Sequence, residues 1–251
     1  MISYNKVNYH THTIFSDGIN TPEEIVKKAI GLGFTHLGFS EHAYAPMDLE
    51  SCMKLEDTQR YFEEIQRLKK LYRDDIRIFC GLEVDYYSEI DTNGFDFLIG
   101  SCHYIEKDGK YYSIDHSAEK FSEMVLAFDN DVYALTDAYF KMVSNIANKF
   151  DIDIVGHFDI IRKFNAGNRF FDENNPEYID SGKKAIDSLL KQCATFEINT
   201  GALARGHKDA LYPNPVFIDY IKENKGRLIL SSDCHDMNKL DFAFDEASKY
   251  L

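Results

Sequence analysis

Residues 7–42 read VNYHTHTIFSDGINTPEEIVKKAIGLGFTHLGFSEH, and the order of features in them sets the fold. Val7 to Tyr9 is a short apolar run and predicts a strand. It delivers His10 and His12, which alternate and so point to one side of an extended chain. A turn follows, with Asp17 as its carboxylate and Gly18 permitting tight backbone. Thr21-Pro22-Glu23-Glu24 then starts a helix: threonine caps, proline suits the first turn, and Glu24 completes a capping box. The helix runs to about Leu32, where Gly33 can stop it. His36 to Phe39 is the next strand and ends at Ser40-Glu41-His42.

The same unit recurs outward from this stretch. Ile76 to Leu82 predicts a strand that delivers Glu83, Phe95 to Gly100 one that delivers His103, and Ile152 to Val155 one that delivers His157. Thr195 to Ile198 is a further strand, and Arg227 to Leu230 delivers Asp233 and His235. Helical periodicity covers about residues 56–72, 118–128, 133–149, 177–192 and 214–224. Lys107-Asp108-Gly109-Lys110 reads as a hairpin turn between two aromatic-rich arms. Strand followed by helix about seven times implies a parallel sheet. At 251 residues, a closed α/β barrel forming one domain, 1–251, is expected over an open sheet. Parallel barrel strands end on one shared face, and that face carries the chemistry. Nine metal-binding residue types would therefore meet there: His10, His12, Asp17, His42, Glu83, His103, His157, Asp233 and His235. Six of the nine histidines in the chain belong to this set.

Composition narrows the class. Apolar residues make up 44% and charged residues 28%, as in soluble globular proteins. No apolar run approaches the ~18 residues of a membrane helix. The stretch MISYNKVNYHTH lacks the apolar segment of a signal peptide. Five widely spaced cysteines without a CxxC pair argue against a disulfide framework or zinc ribbon and predict a reducing, cytoplasmic setting. A net charge of −14 without a basic stripe predicts neither a nucleic-acid nor a membrane partner. It leaves room for a local positive site built from cations and a few arginines.

Around the nine residues several side chains compete for roles. Glu41 is a candidate to orient an imidazole, because ligating histidines usually donate their other N–H. Asp85 competes with Glu83. Arg162 in DIIRKF and Arg205 in ALARG follow strand ends on the same face, and guanidinium forks suit phosphate; Lys163 competes with Arg162. His36, His116 and His207 are assigned to surface or loop positions, and Cys102 and Cys234 to packing. No residue among the 16 Tyr and 19 Phe is singled out for substrate.

Taken together, HTHTIFSDG, SEH at 40–42, GLEVDY with Glu83, GSCHY with His103, GHFD with His157 and SDCH with Asp233 and His235 resemble the PHP (polymerase and histidinol phosphatase) superfamily. The match runs in order through nearly the whole chain. SEHAYAP, DFLIGSCHYI, GHFDIIRKFN, FEINTGALARG, LYPNP and ILSSDCHD make it most similar to the histidinol-phosphate phosphatases. That resemblance implies a distorted (β/α)7 TIM-like barrel with three divalent metal ions, zinc, iron or manganese, at the C-terminal strand ends. His10, His12, Glu83 and Asp233 would hold one ion, Glu83 would bridge to a second with His103 and His157, and Asp17, His42 and His235 would hold the third. Asp17 departs from several members, which carry a histidine in a loop one residue longer. The resemblance also makes Arg162 and Arg205 phosphate ligands. It implies attack of a metal-bridging hydroxide on L-histidinol phosphate, releasing L-histidinol and phosphate in histidine biosynthesis. A metal-bound water or Asp17 would protonate the leaving oxygen. A nucleotide or other small phosphate ester is the alternative substrate, and a metal-binding protein without activity the alternative class.

Overall fold

The computed structural model describes residues 6–193, 195–207 and 210–251. The first strand is β1 (Val7–Asn8), followed by α1 (Pro22–Gly31), β2 (His36–His42), α2 (Thr58–Leu71), β3 (Arg77–Asp85) and β4 (Phe97–Ser101). A hairpin, β5 (Tyr104–Lys107) and β6 (Lys110–Ser113), precedes α3 (Ala118–Ala127), α4 (Val132–Lys149) and β7 (Ile154–Val155). The chain ends through α5 (Pro176–Leu189), β8 (Thr195–Asn199), α6 (Gly201–Ala204), α7 (Pro215–Glu223), β9 (Arg227–Ser231) and α8 (Phe244–Ala247).

Seven strands form one parallel sheet in the order β1-β2-β3-β4-β7-β8-β9, with the hairpin set apart. The sheet curls until its ends nearly meet. The join is a parallel bridge between Thr11 and Cys234, just past β1 and β9. There the His12 N–H donates to the Cys234 carbonyl at 2.8 Å, and the Cys234 N–H to the His10 carbonyl at 3.3 Å. This is a seven-stranded TIM-like α/β barrel, distorted where β1 and β7 are only two residues long.

Local sequence explains the elements. The capping box at α1 forms as expected, with the Thr21 N–H donating to Glu24 at 2.8 Å and the Glu24 N–H to Thr21 Oγ1 at 3.4 Å. Period two divides each strand between two environments. Leu37, Phe39, Ile78, Cys80, Leu82 and Val84 are buried in the core that includes Ile25 and Val26 of α1 and Tyr61, Ile65 and Leu68 of α2. The opposite positions fill the barrel. Phe97, Ile99 and Ile154 pack with Tyr9, Phe79 and Ile229 at its lower end. The Phe97 ring lies where side chains at Gly38 and Gly81 would be: a Cβ there would come within 2.8 and 2.4 Å of it. Among the described residues no helix is long and apolar enough to cross a membrane.

Candidate metal centre

Above that aromatic floor the next inward position of β3 is Glu83, fully buried at the upper end of the barrel. Its two oxygens face two groups of imidazoles. Oε2 lies 3.1 Å from His10 Nε2, 3.4 Å from His12 Nε2 and 2.9 Å from His42 Nδ1. Oε1 lies 3.0 Å from His157 Nε2 and 3.6 Å from His103 Nε2. One carboxylate is thus shared by five histidines from four different strand ends or the loops that follow them.

The remaining expected residues complete the cluster. Asp233 Oδ1 lies 3.4 Å from His12 Nε2 and 3.8 Å from His10 Nε2. Asp17 Oδ1 lies 3.1 Å from His235 Nε2 and 3.6 Å from His42 Nε2. The His12 ring stacks on those of His42 and His235, each 4.2 Å away. Asp233 holds a left-handed backbone, φ 49°, unusual for a non-glycine residue and common where a site fixes a side chain. Neighbouring Gly201 leaves the space it needs, since a Cβ there would sit 2.8 Å from the Asp233 carboxylate.

The supporting carboxylates are partly unexpected. Glu197, on β8, is buried and holds His10 Nδ1 at 2.9 Å; it also accepts from the His157 N–H at 2.6 Å and the Asn199 amide at 2.7 Å. This fixes which His10 nitrogen faces Glu83. Glu197 was not singled out in the sequence, because within TFEIN it reads as one polar residue of a strand. Glu41 does not orient an imidazole. It accepts from the Thr13 N–H at 3.0 Å and from the Thr13 and Ser16 hydroxyls, pinning the loop that carries Asp17. Asp85 supports His103, accepting from its N–H at 2.7 Å and facing its Nδ1 at 3.3 Å.

Electrostatics and orphaned atoms test the fit to metal. Burial resists charge on Glu83, yet His10, His42 and His103 outweigh it and hold the carboxyl well below its usual range. Burial likewise opposes charging His42, but Glu83 and Asp17 raise it to about 10. In His103 burial is overcome by Glu83 and Asp85, to about 9. Burial lowers His12 well below the usual range, and His42 and His235 push the same way. Asp17 is pushed up by burial but drawn further down by His42 and His235. Among the described residues, the buried side-chain atoms that make no hydrogen bond include five of the centre: His10 Nε2, both His12 ring nitrogens, Glu83 Oε2 and His157 Nδ1. Unmet lone pairs this deeply buried are costly. Among the described residues, three groups have ligand atoms close enough to share an ion: His12, Asp17, His42 and His235; His10, His12 and Glu83; and His42, Glu83 and His103. The donor set of imidazole and carboxylate fits zinc, iron or manganese.

The PHP domain family matches residues 8–201 of the sequence. This chain belongs to the PHP family. A histidinol-phosphatase of Bacillus subtilis is 27% identical to the PHP chain over 260 residues, covering 94% of it and 96% of the relative. A Listeria monocytogenes protein provisionally named histidinol phosphatase has a structure that superposes with a TM-score of 0.79 at 22% identity, covering 96% of this chain and 99% of that one. The histidinol phosphate phosphatase of Lactococcus lactis, solved with zinc, L-histidinol and phosphate, superposes with a TM-score of 0.64 at 22% identity, covering 98% of this chain and 94% of that one.

The PHP centre opens into a cavity of about 490 Å³, lined in part by Asp48, Asp115, His116, Lys163 and Arg205. Arg205 reaches it, donating to Asp233 Oδ2 at 2.8 Å with a side chain 37% exposed. Arg162 does not line it. The three-residue turn Ile160–Arg162 carries its side chain aside, where it is buried against Glu173 at 2.9 Å and the Leu211 carbonyl at 2.9 Å. The competitor Lys163 occupies the wall instead. His116, assigned to the surface, also lines the cavity; His207 lies outside it, edge-on to Phe164. Cys102 and Cys234 are buried, and burial pushes both thiols up, Cys234 to about 12, as befits packing.

Proposed function

We propose that this chain is a metal-dependent phosphomonoesterase hydrolysing L-histidinol phosphate to L-histidinol and phosphate, acting as one catalytic domain of the cytoplasm. The division of the Glu83 oxygens between two imidazole groups carries this reading. A carboxylate so placed suits a bridge between neighbouring cations. The named relatives support the substrate. His10, His12, Glu83 and Asp233 would hold one ion, His103 and His157 with Glu83 a second, and Asp17, His42 and His235 a third. Divalent ions held there would acidify water and offset the charge of a phosphate dianion.

The protein's own side chains supply order. Glu197 holds His10 in one tautomer and braces the backbone at His157. Arg205 donates through Nη2 to Asp233 and places Nη1 3.1 Å from His235 Nδ1, and its N–H groups left over would serve phosphate oxygens. Arg162 braces the turn beneath Lys163 and is not assigned to phosphate. The test is phosphate release by protein loaded in turn with zinc, manganese and iron. Release from L-histidinol phosphate should exceed that from nucleoside monophosphates and p-nitrophenyl phosphate; a nucleotide preference would overturn the substrate.

A further inference from the structure

One wall of the cavity holds an ion pair that the metal centre does not use. Lys163 Nζ lies 2.9 Å from Asp115 Oδ2, with side chains 11% and 23% exposed. The partners come from separate segments, Asp115 beyond the hairpin strand β6 and Lys163 beyond the turn that follows β7. Both line the cavity beside His103, His157 and Arg205. Lys163, first among its partners once burial is overcome, holds the Asp115 carboxyl below the usual range.

We infer that this pair selects phosphate esters that carry an ammonium group a few atoms from the phosphate, with Asp115 taking the ammonium and Lys163 turning to the phosphate. The inference rests on the activity proposed above and concerns how that site chooses its substrate. A charge largely removed from water is costly unless it is paired. A ligand bearing only an anion would draw Lys163 away and strand Asp115 inside the cavity. A ligand bearing both charges replaces one internal pair by two intermolecular ones and strands nothing. Discrimination therefore comes from the penalty on the wrong ligand as much as from attraction to the right one.

The experiment compares L-histidinol phosphate with its deaminated counterpart, imidazolylpropyl phosphate, on the metal-loaded protein. Wild type should favour the aminated ester in kcat/KM by about tenfold or more, the scale of one charge-assisted contact. Asp115→Asn should collapse that ratio toward one, and Lys163→Met should lower kcat/KM for both esters while keeping the ratio. Asp48→Asn, at another acid of the same cavity, should retain the preference. On the wild type alone, L-histidinol should inhibit more strongly than its deaminated alcohol by a similar factor, which covers the case of a poorly folded variant. Equal turnover of the two esters by wild type, an unchanged ratio in Asp115→Asn, a lost ratio in Asp48→Asn, or equal inhibition by the two alcohols would overturn the inference alone. Release from neither ester by the wild type would overturn the activity itself.

Discussion

The floor and the mouth of the barrel are built from the same strands by the same alternation, and they differ in what the inward positions carry. On β3 they run Phe79, Gly81, Glu83, Asp85; on β4, Phe97, Ile99, Ser101. The lower layer is aromatic and aliphatic, with Tyr9 edge-on to Phe79 and Phe97 at 5.5 and 5.7 Å. The upper layer is imidazole and carboxylate with unmet lone pairs. A short step along one strand thus separates a layer that stabilises the protein from one that costs stability until something binds there.

Substitutions at the two levels should separate cleanly. Glu83→Ala should abolish turnover and lower metal stoichiometry, read by elemental analysis, while the metal-free protein keeps its circular dichroism. A variant that binds its full complement and turns over normally would remove Glu83 from the centre. Phe97→Ala, at the floor, should cost about 3–5 kcal/mol in denaturant unfolding, with the metal stoichiometry of the folded fraction preserved. Glu197→Gln lies between the levels and should weaken metal affinity about 10–100-fold with a smaller loss of stability; chelator competition would measure it.

The mildest test is pH. Without metal, His42 and His103 remain charged up to about 10 and about 9, above their ordinary 6.5. Their pairing with Glu83 therefore contributes fully below 6.5 and fades as pH rises through 9 to 10. Metal affinity runs in the opposite sense, because ligation needs the neutral imidazole. Metal loading at pH 7 should release protons, seen as heats that vary with the ionisation enthalpy of the buffer; no such variation would contradict the raised imidazoles.

The fold was legible because apolar runs, caps and glycines agree from Val7 to Ser231. The nine clustered residues were legible because each follows such a run, and strand ends share a face. The misses occur where period two gives way or was not applied. Glu41 and His42 are adjacent on β2, so they face opposite sides, which bars Glu41 from orienting its neighbour. Arg162 sits in a turn with three residues per revolution, where its direction cannot be read from the preceding strand. Glu197 is readable only as an inward acid two residues before Asn199, a pattern that gains meaning once His10 is known to lie opposite.

The bridge between Thr11 and Cys234 gives the centre a second consequence. His10 and His12 on one side of it, and Asp233 and His235 on the other, straddle the line along which the sheet meets itself. An ion gripped by both sides would act as a clasp on a belt, fastening two stretches of chain more than two hundred positions apart and restricting the loop between them. Stripping the ion should then loosen the buckle first, with amide exchange quickening along β1 and β9 ahead of β3.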